Sequence, residues 1–253
     1  MREISLSRRF VAAISFLTIF PLVVREGMSK EELGSSMALF PLVGLLLGAL
    51  LWSCAYSFGA AFAPAVNALF LLSVLTIATR GLHLDGLADT LDGLGGGRDK
   101  REILKIMRDS HVGTFGVIGL VLTLMAKYLL ISQLIEGESS LSLLLFPTLG
   151  RWSMVYLTWS FPYVRGEGTG AVFASYLSPR DFWWATGTAL LISILTHGLA
   201  GAGTMALVWV FAYALGHYFV RRIGGITGDV MGAAGELAEI LSLATLVALL
   251  RGI

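Results

Sequence analysis

Apolar residues in this chain run in long blocks, and the polar residues gather between them. The blocks predict seven membrane spans, at roughly 35–59, 64–79, 113–135, 140–163, 182–199, 203–220 and 240–253. The second and last are short for a crossing. The runs are too long and too uniformly apolar for the alternation of a membrane barrel. A further apolar stretch, Phe10 to Val24, is interrupted by Pro21 and resembles a signal peptide. The Arg25-Glu26-Gly27 that follows is not a small-x-small cleavage site. The expected fold is all-α: a polytopic membrane helical bundle of about seven transmembrane helices, with an N-terminal interfacial or re-entrant helix. No linker or internal repeat divides the chain, so residues 1–253 form one expected domain.

Charge sets the expected orientation. Lysines and arginines fall before the first span, between the second and third, between the fourth and fifth, and between the sixth and seventh. The three intervening connections carry none, and Arg251 alone lies on the other side. The positive-inside rule then makes the four basic regions cytoplasmic. Composition agrees with a membrane protein: 56% of residues are hydrophobic and 14% charged, against about 25% charged in soluble domains. No basic tail points to nucleic acid. Cys54 is the only cysteine, which excludes an intrachain disulfide. The oligomeric state is left open.

The candidate chemistry lies between Gly81 and Gly116. Asp85, Asp89 and Asp92 follow at steps of four and three, which places them on one helical face. Like charges there repel by on the order of 4 kcal/mol per pair at about 4 Å and an effective dielectric near 20, before screening. No lysine or arginine lies among them, so a hard divalent cation such as magnesium is the natural counter-charge. The plainer alternative is a solvated acidic loop. Interleaved leucines, close glycines and the neighbouring Arg98, Lys100, Arg101, Lys105 and Arg108 argue against it. Acids for a metal beside bases for phosphates suit phosphoryl transfer, although topology alone accounts for several of those bases. Arg108, Asp109, Ser110 and Gly113 precede the third span, where free N–H groups at a helix start favour an anion. Simple capping by Ser110 or Thr114 is the competing explanation. His83 reads equally as a base, a ligand or a structural partner of a carboxylate.

A second constellation follows the sixth span. Asp229, Glu236 and Glu239 align on one helical face and are expected to approach the first cluster and complete one cavity. The alternative has Glu236 and Glu239 lining the headgroup region. Arg151 sits inside the fourth apolar run, where a charge is a functional candidate, whereas Lys127 in the third run is able to snorkel.

At these residues the chain resembles the cobalamin synthase family, the adenosylcobinamide-GDP ribazoletransferases, over nearly its whole length. The resemblance rests on the Phe16–Pro21 run, Phe40–Gly44, and above all His83-Leu-Asp-Gly-Leu-Ala-Asp89 with Asp92-Gly93. It continues through Ile106–Ser110, Gly113–Gly116, Gly150-Arg151 and Thr227-Gly228-Asp229 with Glu236 and Glu239. His111 stands where the family usually has arginine, and Val230-Met231 where it often has Thr-Leu. The resemblance implies magnesium-dependent joining of adenosylcobinamide-GDP to α-ribazole or its 5′-phosphate, with release of GMP, in a prokaryotic plasma membrane. For that reaction, the residues themselves would place metal on Asp85, Asp89, Asp92 and Asp229. The substrate would contact Arg98, Arg108, Ser110, Gly113, Arg151, Glu236 and Glu239, with His83 or Asp109 taking a proton. Two competing readings are a CDP-alcohol phosphotransferase, whose Asp-Gly-x-x-Ala-Arg pattern is incomplete here, and an ion-coupled transporter.

Overall fold

The computed structural model describes residues 5–20, 27–58, 61–137 and 139–252. All the elements in them are helical. In chain order they are α1 (Leu6–Leu17), α2 (Lys30–Ser35), a 3-10 turn (Ser36–Leu39), α3 (Phe40–Phe58), α4 (Pro64–Ala78) and α5 (Leu82–Gly96). There follow α6 (Lys100–Ile106), α7 (Thr114–Glu136), α8 (Ser142–Ser160), α9 (Thr169–Tyr176), α10 (Pro179–Ile223) and α11 (Gly228–Leu250). The only strand-like feature among the described residues is one parallel bridge, Tyr163 with Ile226.

Four stretches are long and apolar enough to cross a membrane: Lys30–Phe58, Thr114–Glu136, Pro179–Ile223 and Gly228–Leu249. Helices α4 and α5 would make a fifth only as a pair bent by 88°. The 45-residue α10 is really two helices. Its backbone leaves helical geometry at Gly198 (φ 58°, ψ −135°), a conformation open to glycine. Residues eight apart in a straight helix lie about 12 Å apart. Here a side chain at Gly201 would strike the Ser193 carbonyl, so the chain turns back on itself. The two arms of that reversal cover the expected fifth and sixth stretches.

Two expected boundaries need correction. The last span does not begin near 240, because α11 starts at Gly228 and carries Glu236 and Glu239 inside it. The helix runs through these acids because their charges are neutralised within the protein, as described below. The expected fourth span, α8, is not among the stretches apolar enough to pass on composition. Nearly every residue from Ser142 to Thr158 is buried, against α3, α10 and α11, so its hydroxyls and Arg151 face protein and not lipid. The glycines at Gly44 and Gly48 of α3 let the two backbones touch, since a methyl at either would meet the α8 main chain.

At the N-terminus, α1 covers only part of the expected 10–24 segment, and residues 21–24 lie outside the described residues. Arg9 donates to the Ser35 carbonyl and pairs with Asp181, while Arg8 pairs with Glu32. These contacts tie α1 to α2 and to the start of α10.

Candidate active site

Helix α5 begins after a left-handed pair, Arg80 (φ 56°) and Gly81 (φ 62°), which turns the chain sharply out of α4. It then crosses α11. Gly86 faces the Asp229 backbone so closely that a methyl there would lie 3.0 Å from the Asp229 Cα. This contact brings the two acidic segments together, as the sequence leads one to expect for Asp229. Asp89 is half-buried, and its carboxylate has Asp229, Asp85 and Asp92 as like-charged neighbours, opposed by Arg165.

Arg165, one of the basic residues between the expected fourth and fifth spans, is a central part of this arrangement. Its Nη2 pairs with Asp229 Oδ2 at 2.7 Å and donates to the Met107 carbonyl at 3.2 Å. What puts it there is the parallel bridge. Ile226 N–H donates to the Pro162 carbonyl at 2.8 Å and Val164 N–H to the Ile226 carbonyl at 2.9 Å. The segment after α8 is thereby pinned to the turn before α11. The Pro162-Tyr163 step followed by Arg165-Gly166-Glu167-Gly168-Thr169-Gly170 was the sequence signal for this loop. Burial pushes the Tyr163 phenol up, against the pull of Arg165.

A cavity of about 260 Å³ opens at this junction. His83, Asp85, Tyr163, Arg165 and Asp229 supply much of its polar lining, and Phe16, Met154, Phe173 and Met231 apolar parts. Asp85 is exposed, whereas His83 is buried and its Nε2 has no hydrogen-bond partner among the described residues. No three acidic, histidine or cysteine side chains converge on one point among those residues. The chain therefore offers carboxylates to a cation in ones or twos.

Several sequence-derived candidates lie elsewhere. Asp92 is buried, and its two oxygens accept the Gly113 and Gly116 N–H groups at 2.7 and 2.8 Å. The anion at the start of α7 is thus the protein's own carboxylate, and neither Ser110 nor Thr114 caps that helix. The Gly113 N–H expected for substrate is already taken. Arg98, Arg108, Asp109 and Ser110 are exposed and do not line the cavity. The His111 ring bonds Asp109 at 2.7 Å and holds that carboxyl below its ordinary range.

Glu236 and Glu239 also fail to reach the cavity, contrary to expectation. Lys127 of α7 contacts Glu236 and Glu239 at 2.5 Å each, and Arg151 of α8 pairs with Glu239. All four side chains are at most 6% exposed. Two cations and two anions make a neutral buried quartet, and an acid that lies beside a buried cation has no need of a distant metal. Lys127 does not snorkel, Arg151 is committed to Glu239, and the two glutamates do not line a headgroup region.

The fold and cavity together define a membrane-embedded helical protein with an acid-lined, arginine-tethered site between its helix ends. The family described as Cobalamin-5-phosphate synthase matches residues 9–247, and the chain belongs to that family. Similar proteins named adenosylcobinamide-GDP ribazoletransferase include one from Geotalea daltonii, 39% identical over 96% of this chain and 98% of that one. Another, from Roseiflexus sp. (strain RS-1), is 38% identical over 92% of this chain and 87% of its own length. A third, from Escherichia coli (strain K12), is 37% identical over 96% of this chain and all of its own. No solved structure matches the chain. Membership sets aside the CDP-alcohol phosphotransferase and transporter readings.

Proposed function

We propose that this cavity is where the cobinamide phosphate of adenosylcobinamide-GDP is transferred to α-ribazole or its 5′-phosphate. The products are adenosylcobalamin, or its 5′-phosphate, and GMP, a late step of cobalamin biosynthesis. The names of the similar proteins support the reaction. The observation that carries the site is Asp229, brought from near the C-terminal end of the chain onto Gly86, between Asp85 and Asp89.

The ribazole 3′-hydroxyl oxygen attacks the cobinamide-side phosphorus. The bond from that phosphorus to the bridging oxygen breaks, and GMP leaves with that oxygen. We assign the hydroxyl proton to His83, a residue of the lining whose buried Nε2 has no partner among the described residues. Exposed Asp109, bonded to His111, is not. Arg165 holds Asp229 in place through its ion pair.

The carboxylates suit magnesium, which uses one or two protein acids and completes its shell with water and substrate phosphates. One or two of Asp85, Asp89 and Asp229 would hold it, and Asp92 is committed to α7. When bound, the ion offsets charge developing on the diphosphate. We place the protein in a prokaryotic plasma membrane with the cavity on the cytoplasmic face, on the lysine and arginine distribution.

Release of radiolabelled GMP from adenosylcobinamide-GDP by the purified chain tests this reading. Asp85→Asn and Asp89→Asn are each expected to lower turnover on the order of 10²-fold or more while the protein still inserts and folds. Near-normal turnover by both at saturating magnesium would remove the metal site.

A further inference from the structure

The cavity beside Asp85 has two unlike parts. Exposed Asp85, Glu167 and Thr169 mark its mouth. Deeper in, Met154, Phe173 and Met231 are at most 3% exposed. Phe16 joins them, edge-on to Phe173 with ring centroids 4.8 Å apart and stacked on Phe40 at 6.0 Å. Aromatic edges and polarizable thioethers together favour a flat apolar ring. The cavity's 260 Å³ falls just below the roughly 300–1,000 Å³ usual for drug-sized ligands. It admits a group the size of a nucleoside and excludes a corrin macrocycle with its side chains.

Charge decides which end of such a nucleoside faces outward. Asp85, Glu167 and Asp229 are carboxylates, while Arg165, the cation in the lining, is already paired with Asp229. A 5′-phosphate drawn past them into the apolar inner part would leave water and meet no free cation among the lining residues. Ribose hydroxyls, by contrast, donate to carboxylates and exchange hydrogen bonds with a threonine hydroxyl.

We propose that the inner part of the cavity seats the aromatic base of the acceptor nucleoside, against Phe16, Phe173 and the two methionines. The ribose lies at the level of His83 and Asp85, its 5′ position points out through the mouth, and the corrinoid stays outside. The assignment rests on the transfer reading above. A 5′-phosphate then projects into solvent and leaves the fit of the base unchanged.

The test varies acceptor and adenosylcobinamide-GDP in turn, each with the other saturating, with the full-length chain in lipid nanodiscs and GMP release as readout. Phe16→Ala is expected to raise the KM for α-ribazole and for α-ribazole 5′-phosphate alike, by about tenfold, while the KM for adenosylcobinamide-GDP stays unchanged. Phe16→Leu keeps apolar bulk without the ring; it should shift both acceptor KM values in the same direction by less, and it carries the test if the alanine variant does not fold. Unchanged acceptor KM values in Phe16→Leu and any folded Phe16→Ala, or a rise in the donor KM instead, would overturn the base seat while leaving the transfer reading intact. No GMP release by the unsubstituted chain with either acceptor would overturn the transfer reading itself.

Discussion

Asp92 lies on the same helix as Asp85 and Asp89, yet both its oxygens accept backbone N–H groups at the start of α7. Spacing by three and four residues says that side chains share a face. It does not say how far round that face each one points, or what it meets. Asp85 meets the cavity, Asp92 meets α7, and Asp89 stands between. The variants should separate accordingly. Asp92→Ala strips a charged acceptor from two N–H groups and is expected to cost about 2 kcal/mol of stability, read as a lower unfolding midpoint in detergent. Asp109→Asn, on an exposed side chain outside the cavity, should leave GMP release within about twofold of the unsubstituted chain. A stability loss for Asp109→Asn with none for Asp92→Ala would reverse these assignments.

Between elements, the buried quartet of Lys127, Arg151, Glu236 and Glu239 joins α7, α8 and α11. The quartet is neutral as a whole, so removing one member leaves a buried charge without compensation. Lys127→Met is expected to destabilise the protein by about 3–5 kcal/mol. Adding Glu236→Gln restores the balance of one cation to one anion. The double variant should therefore unfold at a higher temperature than Lys127→Met alone, an interaction that a double-mutant cycle measures. Simple addition of the two losses would show that the quartet is not coupled. The same neutrality explains why α11 continues through two glutamates ahead of the uninterrupted apolar run that begins near 240.

In the whole molecule, the cavity is assembled from α1, α5, α8 with the loop after it, α9 and the start of α11. Apart from Met154 of α8, the lining comes largely from the N-terminal region and the three connections that the lysine and arginine distribution assigned to one side. Their meeting at one place agrees with that shared side. With Cys54→Ser as background, Asp99→Cys should be labelled by a membrane-impermeant thiol reagent only from the cytoplasmic face. Labelling only from outside would show the topology inverted.

The helical class, the broad positions of most long helices and the acid-bearing face of α5 were all legible in the sequence. Each depends on local periodicity and on apolar length, which lipid enforces along a single segment. The motif from His83 to Asp89 was equally legible, because its specificity lies in consecutive residues. The fates of individual charges were not. Lys127 lies in the third apolar run and Glu236 in the polar stretch before the last, and Arg165 is one more basic loop residue until the bridge between Tyr163 and Ile226 sets it against Asp229. Tertiary structure decided those pairings because a buried charge takes whichever opposite charge the packed helices bring near it. That proximity arises from helix crossings such as Gly86 on Asp229, whose exact placement local periodicity does not set.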